Sequence, residues 1–120
     1  MAVFLVQATP AIAHRHSSPA ERYFQHRCNQ HQPLACVHRA ALHWRVSYRY
    51  MKAISYRESR WDPYAKNPQS TASGLFQFLT STFYGSWNPY ADESIWSAKF
   101  NSLAAAYAMH RGYYSWWACC

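Results

Sequence analysis

At 120 residues the chain is limited to one small domain plus a tail. Half of it is hydrophobic and 18% is aromatic, enough for a compact core with an aromatic-lined groove or surface. The formal charge is +7, from twelve Lys and Arg against five acids, and no run approaches the roughly 20 apolar residues of a membrane span, which excludes a transmembrane helix.

The charge imbalance is local. Nine of the twelve Lys/Arg fall between residues 14 and 60, with only Glu21 and Glu58 to oppose them. Such a surface attracts polyanions, whether nucleic acid, an anionic membrane or a charged bacterial wall, and a merely soluble basic face is the competing reading. The opening MAVFLVQATPAIA has an apolar patch and an Ala-x-Ala ending at Ala13, like the end of a secretory signal. It lacks a positive start and is interrupted by Gln7, Thr9 and Pro10, so a shortened signal peptide and a disordered tail both fit. Residues 1–27 read as a flexible leader and 28–120 as the domain.

Four cysteines, Cys28, Cys36, Cys119 and Cys120, lie at the two ends of that domain. In a secreted chain they suit a disulfide framework with three possible connectivities, and a bridge from Cys28 or Cys36 to the C-terminal pair would tie entry to exit. The competing use is zinc, held by Cys28, His31, Cys36 and His38, although their spacing matches no zinc finger. No metal site is therefore expected.

Leu34, Val37, Ala41, Trp44, Tyr48, Met51 and Ser55 recur at four- and three-residue steps, which predicts one long amphipathic helix. The next step of the stripe is Glu58. A carboxylate there sits among apolar groups or at a cleft floor, and burial would raise its pKa. Pro63 biases Asp62 away from helical geometry and predicts the stop, and residues 62–74 read as a turn-rich loop. LFQFLTSTFYG follows as a short helix or pair of turns. Asp92 and Glu93 are read as opening the last helix, along which Trp96, Phe100, Leu103 and Tyr107 recur before Gly112 as C-cap. With no period-2 strand pattern, the fold class is all-α.

The five acids make the candidates for acid/base work a short set. Glu21 lies in the leader, Asp62 precedes a proline in a turn, and Asp92 with Glu93 has a helix-start role. Glu58 alone lacks an evident structural purpose, beyond pairing with Arg57 or Arg60.

The segment AISYRESRWDPYAKNPQSTASGLFQFLTSTF resembles the soluble lytic transglycosylase (SLT) family of lysozyme-like enzymes, and a weaker likeness continues through NSLAAAYAMHRG to Trp117. Glu58-Ser59 looks like the family's catalytic Glu-Ser at a helix end. ASGLFQF is similar to its Gly-Leu-Met-Gln turn, with Phe76 in the Met position and Gln77 nineteen residues after Glu58. AAAY, ending in Tyr107, is similar to the Ala-Tyr of a third motif, but Ala108, Met109, His110, Arg111 and Gly112 depart from the usual Asn-Ala-Gly-Pro that follows.

The resemblance implies a lysozyme-like domain acting on peptidoglycan glycan strands, with Glu58 as the single acid/base and no cofactor. It implies substrate contacts from Gln77 and Tyr107. Ser73 and Asn67 stand in the intervening loop, where turn formation is the competing role. Trp116 and Trp117 suit either sugar stacking or closure of the core. A monomer that is secreted, periplasmic, wall-associated or phage-borne is expected, and nucleic acid is not an expected partner. The alternatives are a muramidase in which Asp62 or Asp92 assists a water, a glycan-binding module that does not cut, and a basic nucleic-acid or zinc module on residues 14–49.

Overall fold

The computed structural model describes residues 16–118. The signal-like opening through Ala13, and Cys119 with Cys120, lie outside the described residues.

Helix α1 spans Pro19–Arg27, with Pro at its first position and the Ser18 hydroxyl accepting from the Glu21 N–H at 3.0 Å. Residues 19–27 were expected in the flexible leader. They fold because α1 docks on α2, Pro33–Trp44, where Glu21 is only 2% exposed and meets His43 Nδ1 at 2.6 Å. Burial pushes the pKa of Arg39, also on α2, down, and the nearby Glu21 and Tyr90 act against that. Cys28 at the end of α1 is bonded to Cys36 on α2. The described bridge is thus local, rather than a tie between the entry and the C-terminus. It also consumes both sulfurs of the zinc alternative.

The expected long helix is two helices. α2 ends at Arg45 in the left-handed conformation (φ 57°), with the Val46 N–H returning to the Ala41 carbonyl at 3.0 Å. α3, Tyr48–Ser59, starts after Ser47, whose hydroxyl accepts from the Tyr50 N–H. The break falls between Trp44 and Tyr48, a four-residue step, so the apolar period runs through it undisturbed. No glycine marks the turn. His38 of α2 is sandwiched between Phe24 of α1 and Tyr48 of α3, with ring centroids at 3.8 and 3.9 Å, and this stack joins the three helices. Burial lowers the pKa of His38 and raises that of Tyr48.

After α3 the chain turns through Arg60 and Trp61, both left-handed, so the helix stops earlier than Pro63 alone predicts. Asp62 Oδ1 accepts from the Tyr64 N–H at 2.8 Å, the turn role expected of it. A loop with isolated bridges from Ser73 to Lys66 and to Phe78 leads to the single turn α4, Thr80–Phe83. The last helix, α5, spans Ala98–His110 and is capped by Ser97, so Asp92 and Glu93 precede it without opening it. Gly112 follows at φ 90°, and the Tyr113 N–H bonds the Ala108 carbonyl at 2.8 Å.

α5 is the central helix. It packs most extensively on α2, and small buried residues on both helices, Ala104, Ala105 and Ala108 on α5 and Ala40 and Ala41 on α2, suit a close pair. Leu75, Phe76 and Phe83 are fully buried on the loop side, each contributing about 2–3 kcal/mol of apolar transfer. A 3₁₀ turn at Tyr114–Trp117 closes the core with the Trp117 ring, edge-on to Phe76 and Phe78. Among the described residues there is no β-strand, and no helix is long and apolar enough to cross a membrane.

Candidate active site

Glu58 lies in the last turn of α3, after the buried Met51, Ile54 and Ser55. Its side chain is 26% exposed, because the helix ends one residue later and the apolar stripe reaches the surface there. The expected wall of apolar groups is therefore incomplete, and the nearest charged group is a cation. Arg57 donates to Glu58 Oε2 from Nη2 at 3.0 Å and from Nε at 3.2 Å. The same Nη2 donates to the Trp117 carbonyl at 2.5 Å. Arg57 thus fastens the carboxylate to the C-terminal 3₁₀ turn.

Trp117 also borders a groove of about 340 Å³, lined with it by Gln77, Phe78, Leu79, Thr82 and Trp116. Glu58 is connected to this groove through Arg57 and does not itself line it. Trp116 is 43% exposed at the groove, stacked on Tyr113 at 4.8 Å and edge-on to Trp87 at 4.9 Å, while Trp117 is spent on the core.

Gln77 is positioned by an unusual backbone. Gly74 adopts φ 82°, and a Cβ there would lie 2.4 Å from Asn101 Nδ2 and 2.7 Å from the Ile95 carbonyl. Only glycine fits. The Gln77 N–H returns to the Gly74 carbonyl at 3.1 Å, and Gln77 itself takes φ 52°. Its Nε2 donates to the carbonyls of Ala65 and Gly74 at 3.0 and 2.9 Å, which orients Oε1 as the remaining acceptor.

The fully buried Asn101 of α5 holds this turn from beneath. Its Oδ1 accepts from the Phe76 N–H and its Nδ2 donates to the Ile95 carbonyl, both at 2.8 Å. The Phe76 carbonyl in turn accepts from Trp117 Nε1 at 2.9 Å. The Arg57–Glu58 pair was expected, whereas Asn101 and the Arg57 bond to the Trp117 carbonyl were not. The signal for Asn101 was present: a poor helix former in the otherwise apolar run FNSLAAAYAM.

The remaining expected contacts are placed elsewhere. The Ser73 hydroxyl is buried and donates to the Thr71 carbonyl, and Asn67 Oδ1 accepts from the Gln69 N–H in an exposed turn. Tyr107 packs edge-on against Trp44 and parallel to Trp87, with its hydroxyl accepting from Arg111 at 2.8 Å. That bond raises the pKa of Arg111. The structure brings Gln77 and Trp116 to one groove and ties Glu58 to its edge, while Ser73 and Asn67 build the loop. Among the described residues no group of three or more His, Cys, Asp or Glu is placed to hold a metal ion.

No curated protein matches the chain, and no solved structure does. The model of the transglycosylase SLT domain matches residues 35–113, from the second residue after Pro33 at the start of α2 to the end of the α5 cap, about two thirds of the chain, and the protein therefore belongs to that family within the lysozyme-like superfamily.

Proposed function

We propose that the protein is a peptidoglycan lytic transglycosylase that cleaves the β-1,4 bond between N-acetylmuramic acid and N-acetylglucosamine, with Glu58 as acid and then base. The observation that carries this reading is the Arg57 bridge, which holds the family's Glu-Ser carboxylate beside the groove bearing Gln77 and Trp116.

In the first step the protonated Glu58 carboxyl donates to the glycosidic oxygen as the bond from that oxygen to C1 breaks. The substrate's 2-acetamido group stabilises the cationic C1. In the second step the sugar's own C6 hydroxyl attacks C1 and its proton passes to the Glu58 carboxylate. The product carries a 1,6-anhydro ring, and Glu58 is returned to its protonated state. Intramolecular attack needs no ordered water.

Gln77 Oε1 is suited to accept from the acetamido N–H, and the Trp116 indole to stack on a sugar face. Tyr107 supports the aromatic wall through Trp87. Asp62 accepts from the Tyr64 N–H through Oδ1, so one of its two carboxylate oxygens already serves its own turn. The protein acts as a monomer outside the cytoplasm, in the periplasm or at the wall, or carried by a phage.

Mass spectrometry of soluble fragments released from purified peptidoglycan by wild type and by Glu58→Gln tests the reading. Anhydromuropeptides from the wild type alone support it. Reducing-end muropeptides point to a muramidase, and binding without fragments from either protein points to a non-cutting glycan module.

A further inference from the structure

The far side of α3 from Glu58 carries a second feature that the cleavage chemistry does not use. Arg49, Lys52, Ala53 and Tyr56 recur at helical spacing on one exposed face of α3, and at about 100° per residue Glu58 stands roughly 200° around from Tyr56. Trp61 folds back over this face. Its Nε1 donates to the Lys52 carbonyl at 3.1 Å, its ring meets Tyr56 edge-on at 4.9 Å, and Lys52 Nζ lies 5.9 Å from its centroid. Arg60 lies over the Tyr56 ring at 5.6 Å.

Trp61 separates two open grooves. One, of about 410 Å³, is lined by Arg49, Lys52, Ala53, Tyr56 and Trp61. The other, of about 380 Å³, is lined by His31, Gln32, Pro33, Leu34, Ala35 and Trp61. Both volumes fall in the roughly 300–1,000 Å³ range of ligand sites. The ring is held there at a conformational cost. Arg60 and Trp61 are consecutive non-glycine residues at φ 54° and 64°, a backbone region that is strained for a bulky side chain by on the order of 1 kcal/mol each. Trp61 is only half-buried, so core packing does not account for that strain. Among the described residues Arg49, Lys52 and Arg60 enter no ion pair.

We propose that Tyr56 and Trp61, with Arg49, Lys52 and Arg60, form a second glycan-binding surface that docks an uncut peptidoglycan strand. The aromatic faces take sugar rings and the three cations take the carboxylates of the stem peptides. Charge complementarity and the indole platform commit the surface to this occupant: a carboxylate-bearing glycan satisfies both the rings and the cations. The inference rests on the peptidoglycan reading for its ligand but not on the cleavage chemistry. Its role is retention, keeping the enzyme on an insoluble wall while the cleft releases its product.

The test measures binding to insoluble purified peptidoglycan in a Glu58→Gln background, with Trp61→Gly and separately Arg49→Glu/Lys52→Glu. Glycine suits the left-handed backbone at 61, and the charge reversals are at exposed positions, so one set reports even where the other fails to fold. Each set is expected to weaken binding about tenfold, with the affinity falling as salt rises, while cleavage of short soluble glycan fragments by the Glu58-containing forms is unchanged. Unchanged binding to peptidoglycan in both sets overturns the proposal. So does selective loss of binding to a single-stranded oligonucleotide, the other polymer that aromatic and basic surfaces hold. If the wild type releases no fragments but the variants still lose wall binding, the cleavage reading fails and the docking surface stands.

Discussion

Between Ser73 and Phe78 the turn is fastened to buried partners: Asn101 bonds the Phe76 N–H, the Trp117 indole bonds the Phe76 carbonyl, and Gly74 fits a space with no room for a Cβ. At the end of α3, by contrast, the Glu58 carboxylate is a quarter exposed and held by a single solvent-facing arginine. The first region places a side chain through the backbone, so its residues act on stability. The second leaves a carboxylate that a ligand can reach, so under the proposed function its residues act on chemistry and contribute little to folding.

Substitutions at the two regions should separate accordingly. Glu58→Gln has the largest expected effect on activity, a fall of about a hundredfold or more in fragment release, with thermal stability changed by under about 1 kcal/mol because an exposed ion pair contributes little. Comparable losses of both would break the contrast. Gly74→Ala is expected to destabilise the protein by about 3 kcal/mol in denaturant unfolding, through the Asn101 and Ile95 clash and the positive φ.

Asn101→Ala leaves the Phe76 N–H and the Ile95 carbonyl buried without this partner, and a loss of about 2–3 kcal/mol follows. Asn101→Asp gives no rescue, because a carboxylate oxygen in place of Nδ2 faces the Ile95 carbonyl and buries a charge. Trp117→Phe keeps a ring in the core but deletes the bond to the Phe76 carbonyl, for about 1–2 kcal/mol.

The smallest effect concerns pH and lies outside both regions. Burial lowers the folded pKa of His38 below its ordinary 6.5, so the fold binds the neutral ring. Its contribution to stability is full above 6.5 and is lost as pH falls through the lowered folded value. Thermal midpoints recorded downward from neutral pH should decline through that window, and His38→Phe, which keeps a ring between Phe24 and Tyr48, should flatten the decline.

Much of this was legible before folding. The all-α class followed from the apolar periods, and the family from the order of Glu58-Ser59, the Gly74–Gln77 turn and Tyr107. The left-handed turn at Arg45 was not legible, because the four-residue step from Trp44 to Tyr48 preserves the helical period across it. Nor was the helix at Pro19–Arg27, whose polar sequence folds by pairing Glu21 with His43 on another helix. The Cys28–Cys36 pairing was one of several that counting allows.

Sequence by itself determined what depends on residues near one another along the chain: helical stripes, the Gly112 end of the last helix, and the glycine that a tight turn requires. Tertiary structure alone decided which side chains are spent on the scaffold and which remain open. Asn101 is an example: its side chain reaches the Phe76 N–H twenty-five positions away, and the partner makes it part of the scaffold. The Arg57 link to Trp117 joins residues sixty positions apart, a contact that no local pattern encodes and that exists only once the core has brought the C-terminal turn against the end of α3.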